Sequence, residues 1–172
     1  GVLMGGLSSE RKISMDSGTA VAEALRTRGW NVIEIDVDHQ LPEKMKVERI
    51  DVAWNALHGI YGEDGCVQGL LEMMNIPYTG SSVQSCAISM DKRATKLMLN
   101  DTVVNLIPDR MVRHGEEVED KWFPCVLKDP VGGSSIGVWI CHTPKDLKTA
   151  YTQSDTEIFL LERYIQGEEI TV

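Results

Sequence analysis

The chain has 172 residues, 42% hydrophobic and 25% charged, which suits one domain or two small ones with a real core and excludes a disordered or fibrous chain. A formal net charge of -9 and a pI near 4.9 oppose nucleic acid and anionic membranes as partners, because a polyanion is repelled before specific contacts form. Any basic site must be local.

No run approaches the ~20 apolar residues of a membrane span, and the start carries no charged leader segment. Cys66, Cys86, Cys125 and Cys141 are widely spaced with no C-x-x-C pair, so reduced thiols and a cytoplasmic location are expected rather than a disulfide framework or a zinc site. The sequence opens on Gly1 inside an apolar run and stops in "GEEITV" as another strand begins. A piece of a longer protein is therefore expected.

In chain order, "VLMGG" reads as a short buried strand followed by a loop. Val21, Ala24, Leu25 and Arg28 form a helical stripe that Gly29 ends. Residues 31–37 and 51–57 are β-branched or apolar and read as strands, and Val67, Leu70, Leu71 and Met74 mark a helix between residues 65 and 76. Strands alternating with helices predict a three-layer α/β domain with a parallel sheet.

A second stripe (Val83, Ala87, Met90, Ala94, Leu97, Met98) predicts one helix from residue 82 to about residue 100. The order then changes to strands at 107–113, 124–128 and 138–142, a helix at 144–152 and a strand at 157–164. That is α+β grammar, largely antiparallel. The domains expected are 1–100 and 101–172.

The stretch "LKDPVGGSSIGV" is neither a Walker A loop nor a dinucleotide G-x-G-x-x-G, each of which opens a helix, whereas this one leads into a strand. Gly132, Gly133 and Gly137 let a backbone approach an anion, Ser134 and Ser135 add hydroxyls, and Lys128 on the preceding strand adds charge. A hairpin folded over a triphosphate is one reading, and a hairpin without a ligand is the other. "LHGIYGEDG" puts His58 at the C-terminal end of a strand, where open α/β sheets place ligands. "GGLSSERKIS" puts Glu10 in a loop before a helix expected to be capped near Ser14 or Asp16, and that carboxylate could bind an ammonium or serve in capping. "SMDKRATK" carries Lys92, and "LLERYIQGEEI" carries Glu162 and Glu169. Alone, a solvated helix face is the default explanation for Lys92, and a solvated strand edge for the Glu162 and Glu169 segment.

Taken together, "GGLSSE", "LHGIYGEDG", "PYTGSS", "SMDK" and "GGSSIGV" occur in the order and spacing of the D-alanine–D-alanine ligases, members of the ATP-grasp superfamily, and the chain resembles the N-terminal part of such an enzyme. The resemblance implies an α/β substrate-binding domain, then the ATP-grasp lid subdomain and the start of the catalytic region. It implies that Glu10 holds the ammonium of the first D-alanine, that His58 lies by its carboxylate, and that Ser134 sits with Ser135 in a flap over the substrates. Lys92 and Lys128 would contact ATP phosphates, Glu162 the adenine amino group, Tyr164 and Ile165 the base, and Glu169 the ribose. It further implies ATP and Mg2+, with the metal ligands beyond residue 172, a cytoplasmic homodimer, and D-alanyl-D-alanine made through an acylphosphate for peptidoglycan.

Two departures stand out. Asp129 separates Lys128 from Pro130 where the family has Lys-Pro, and "NDTVVNLIPD" lacks the glycine usual after the long helix. A ligase joining D-lactate or D-serine, or a degenerate paralogue that binds without ligating, are the alternatives. Asp129 is what favours the degenerate paralogue.

Overall fold

A computed structural model describes residues 1–133, 137–168 and 170. The chain divides into two compact units, Gly1–Met90 and Asp91–Val172.

The first unit is built on three short parallel strands, β1 (Val2–Met4), β2 (Glu34–Asp36) and β3 (Trp54–Asn55), in the order β2-β1-β3. Parallel neighbours need crossovers, which α1 (Arg11–Thr27) supplies between β1 and β2 and α2 (Leu41–Val47) between β2 and β3. The two-residue period of β1 gives it two buried faces. Leu3 packs with Ile35, Met45, Leu57 and Leu71 on one side, while Val2 and Met4 pack with Ala22 and Leu25 of α1 on the other. These are the three expected layers. Beyond β3, Ala53 bridges to Tyr78 in parallel and extends the pairing by one short segment. α3 (Cys66–Met73) and α4 (Val83–Met90) complete the unit.

The local structure differs from the sequence expectation at two places and adds one helix. α1 starts directly after Glu10, so Ser14 and Asp16 lie inside the helix. Ser14 is fully buried, and its hydroxyl donates to the Ala56 carbonyl at 2.7 Å instead of capping. α2 is a helix at a place where the sequence shows no stripe, because only Leu41 and Met45 of its seven residues are buried. The single helix expected to run to about residue 100 is two helices, α4 and α5 (Lys92–Leu99). Asp91 breaks it by adopting an extended conformation and accepting from the Arg93 and Ala94 amides at 2.8 and 3.0 Å. The two compact units meet at that break, between Met90 and Asp91.

The second unit is a four-stranded antiparallel sheet, β4 (Asp109–Arg113), β5 (Cys125–Lys128), β6 (Val138–Cys141) and β7 (Ile158–Arg163), in the order β4-β7-β5-β6. α6 (Pro144–Thr152) begins with a capping box between Thr143 and Asp146. It packs Leu147, Ala150 and Tyr151 against Cys125, Leu127, Phe159 and Leu161 on one face of the sheet. Alternation sends Lys128, Leu160 and Glu162 to the other face, where Lys96 of α5 reaches Glu162 and Lys92 reaches the Asp129 carbonyl. All four cysteines carry free thiols, and only Cys66 is exposed.

Two helical glycines should respond oppositely to alanine. In α1, a Cβ on Gly18 would stand 2.5 Å from the Met4 Cβ, whereas in α3 one on Gly69 would meet nothing nearer than Val83 at 3.8 Å. Removing glycine from a helix interior gains about 1 kcal/mol, and overpacking a core costs about 1–3 kcal/mol. Gly69→Ala should therefore raise stability by about 1 kcal/mol and Gly18→Ala should lower it by about 1–2 kcal/mol. Denaturant unfolding that gave both changes the same sign would refute this packing of α1 on β1.

Candidate functional site

In the first unit the candidate residues come from loops that follow neighbouring strands. β1 and β3 are adjacent and parallel, so the loop after Met4 and the loop after Asn55 leave the sheet at the same edge, and they carry Glu10 and His58. A single hydroxyl joins them. Ser8 Oγ donates to the His58 carbonyl at 2.7 Å and accepts from the Glu10 amide at 3.2 Å. Close approach is completed by Gly59, whose φ is +68° and whose missing Cβ would lie 2.6 Å from Glu10 Oε2.

The imidazole of His58 is held from both sides. Its Nδ1 lies 3.6 Å from Glu63 Oε1, and its Nε2 faces Ser17 Oγ at 3.5 Å. Glu63 is positioned in turn by the Gly59 amide, which donates to its other oxygen at 2.8 Å. The acidic turn that follows is fixed by Asp64, which accepts from the Tyr61 and Cys66 amides at 2.8 and 3.0 Å. Burial pushes its carboxyl up, but these bonds, together with those from the Cys66 side chain and its own amide, hold it below the ordinary range. Buried Gln68 and half-buried Asn55 both donate to the Gly62 carbonyl, at 2.8 and 2.9 Å. Beside this loop lies a cavity of about 620 Å³, lined by Ser17, His58, Glu63, Gln68, Thr79 and Ser81 among others. Among the described residues, Gln68 Oε1 is a buried side-chain oxygen without a hydrogen-bond partner.

The second unit gathers a separate set of charges. Lys92 is the first residue of α5, and its ammonium donates to the backbone carbonyls of Asp129 at 3.1 Å and of Gly132. Burial lowers its pKa, partly opposed by the Asp129 carboxylate. Lys128 Nζ contacts Glu162 Oε2 at 2.5 Å, and Lys96 Nζ contacts Glu162 Oε1 at 2.6 Å. Glu162 is only 5% exposed. Burial pushes its carboxyl up, but the bonds from Lys128 and Lys96 prevail and set it below its ordinary value. Tyr164 follows on the same strand's exit, its amide bonded to the Pro124 carbonyl at 3.1 Å, and Ile165 is exposed. Ser134, Ser135 and Glu169 lie outside the described residues.

The unusual Asp129 carboxylate is occupied within its own neighbourhood. One oxygen accepts from the Val131 amide at 2.9 Å and the other from Thr156 Oγ1 at 3.3 Å, so it braces the start of the glycine-serine loop. Sequence reasoning passed over Ser8, Ser17, Glu63 and Lys96. Lys96 could have been found, since it stands four residues after Lys92 and so shares its helix face.

Two family models match, D-ala D-ala ligase N-terminus over residues 39–81 and D-ala D-ala ligase C-terminus over residues 98–172. The chain belongs to the D-alanine–D-alanine ligase family. The D-alanine–D-alanine ligase of Geobacter sulfurreducens is 46% identical over 179 aligned positions, covering all of this chain and 56% of that protein. The crystal structure of the Bacillus anthracis ligase matches with a TM-score of 0.82 at 35% identity, over 96% of this chain and 57% of that one. A structure of the same enzyme complexed with ATP matches with a TM-score of 0.80 at 33% identity. The chain thus spans a little over half the length of the family relatives it matches.

The charge balance around Glu162 predicts a pH signature. A carboxyl whose folded value is depressed contributes stability that is complete above its unfolded value, about 4.3, and is lost as pH falls through the folded value. Glu162→Gln should cost about 1–3 kcal/mol at pH 7. The gap from wild type should narrow as pH falls below about 4.3. Chemical unfolding across that range showing a constant gap would mean that the cost arises from packing and not from charge.

Proposed function

We propose that this chain is the part of an ATP-dependent D-alanine–D-alanine ligase that binds the first D-alanine and contributes to nucleotide binding. The observation that carries the reading is the Ser8 hydroxyl, which ties the Glu10 loop to the His58 loop and so sets a carboxylate and an imidazole together at one sheet edge. A carboxylate there suits a substrate ammonium, and His58, braced by Glu63 and Ser17, suits the substrate carboxylate. For the nucleotide, support comes from Lys92, Lys128 and Glu162 together with the ATP-complexed relative.

In this reading a carboxylate oxygen of the first D-alanine attacks the γ-phosphorus of ATP and ADP departs. The amine of the second D-alanine then attacks the acylphosphate carbon, and phosphate leaves with that oxygen. Residues of this chain bind, orient and neutralise charge; none needs to form a covalent bond. Among the described residues no group of three or more His, Cys, Asp or Glu could hold a metal ion. The reading places the Mg2+ ligands after residue 172, where the ion would neutralise phosphate charge. The second substrate is taken to be D-alanine from the family. A cytoplasmic homodimer serving peptidoglycan synthesis belongs to the same proposal, and among the described residues no helix is long and apolar enough to cross a membrane. Asp129, the residue that favours the non-ligating alternative, accepts from the Val131 amide and the Thr156 hydroxyl, and a bracing role of this kind supports the ligase reading.

The test is Glu10→Gln in the full-length protein. Losing a charge-assisted bond to a bound ammonium costs ~1.5–3 kcal/mol. The KM for the first D-alanine should therefore rise about ten- to a hundredfold while the KM for ATP stays within about twofold. Equal increases for both substrates would assign Glu10 a structural role at the start of α1.

A further inference from the structure

We propose that Lys96 is a positioning residue of the nucleotide site: it is the standing counter-ion of Glu162, and it thereby frees Lys128 to exchange that carboxylate for a phosphate. The inference rests on the nucleotide reading of Lys128 and Glu162 given above.

Glu162 has two oxygens and two cations, one to each, but the cations are not equivalent. The side chain of Lys96 is 13% exposed, and its three ammonium protons match three acceptors: Glu162 Oε1 at 2.6 Å, the Ile107 carbonyl at 2.6 Å and Asp109 Oδ1 at 3.2 Å. Arg93 holds the other oxygen of Asp109 at 2.7 Å, which fixes that acceptor as well. Lys96 therefore has nowhere better to go.

Lys128 is twice as open, at 27%, and among the described residues its ammonium is hydrogen-bonded to Glu162 alone. It reaches the carboxylate diagonally across the β5–β7 pair, since Val126 is the residue opposite Glu162. Lys128 is the partner that can leave. Its departure would strand a buried carboxylate if nothing else held it, a loss that makes breaking a buried pair far costlier than breaking an exposed one. With Lys96 in place, the carboxylate keeps a charge-assisted bond while Lys128 turns to a phosphate. Lys92 takes no part in this exchange, because its ammonium is bonded to the Asp129 and Gly132 carbonyls and not to Glu162.

The experiment measures ATP and adenosine affinity in the full-length protein for wild type, Lys96→Met, Lys96→Arg, Glu162→Gln and the double variant Lys96→Met/Glu162→Gln. Adenosine has no phosphate and does not draw Lys128 away. Lys96→Met should weaken ATP about ten- to a hundredfold, with adenosine changed less than about threefold, and Lys96→Arg should restore the ratio. Once Glu162 is neutral, Lys96 should cease to matter, so Glu162→Gln and the double variant should agree within about threefold. That comparison holds even if Lys96→Met alone fails to fold. Parallel losses for ATP and adenosine, no loss for either, or a further loss in the double variant would each overturn the proposal.

Acylation of the Lys128 amine without nucleotide, read by mass spectrometry, separates this idea from the ATP assignment. Lys96→Met should slow the labelling several-fold, because the whole carboxylate then falls to Lys128, and an unchanged rate would overturn the exchange. Slowed labelling in the variant together with no protection of wild-type Lys128 by ATP would instead show that the nucleotide reading is at fault.

Discussion

A carboxylate that is 5% exposed on the face of a four-stranded sheet must be matched by positive charge, and Glu162 governs much of what surrounds it. β7 places it on the face opposite the α6 core, opposite Asp109 on one side and diagonal to Lys128 on the other. Lys96 reaches down from α5 to complete the pairing, and α5 exists as a separate helix because Asp91 caps it. Buried ion clusters add little net stability compared with apolar packing, so this one calls for a role beyond holding the unit together. Exchange of one cation for a substrate phosphate supplies such a role.

The first unit meets a different constraint, the joining of two loops that are 50 residues apart in sequence. Parallel pairing of β1 with β3 brings their exits side by side, and the rest is done by small groups: the Ser8 hydroxyl between the two backbones and the missing side chain of Gly59 beside Glu10. The hydrogen bonds of Glu63 and Asp64 with nearby amides tie the acidic turn after His58 together from within the chain. Preformed geometry of this kind reduces the ordering cost of binding.

Much of this was legible in the sequence where local pattern and tertiary use agree. β7 shows as the apolar run that opens "IFLLER", and α6 announces itself with Thr143, Pro144 and Asp146. α2 was not legible, because seven residues with two buried positions make no stripe, and neither was the break at Asp91, since the apolar period continues across it. Among the candidate residues, types and order pointed to Glu10, His58, Lys92, Lys128 and Glu162. What held each of them was hidden, because Lys128 meets Glu162 through the β5–β7 register and Ser8 meets His58 through the β1–β3 register, neither of which spacing along the chain encodes.

The activity proposed for the full-length protein is phosphorylation of a D-alanine carboxylate. The measurement closest to it uses the full-length protein, ATP and D-alanine labelled with 18O in its carboxylate, with the released phosphate examined by mass spectrometry. An acylphosphate route transfers one labelled oxygen to phosphate for each dipeptide formed. Dipeptide made with unlabelled phosphate would contradict the acylphosphate, and ATP and D-alanine bound with no dipeptide formed would contradict the assignment as a ligase.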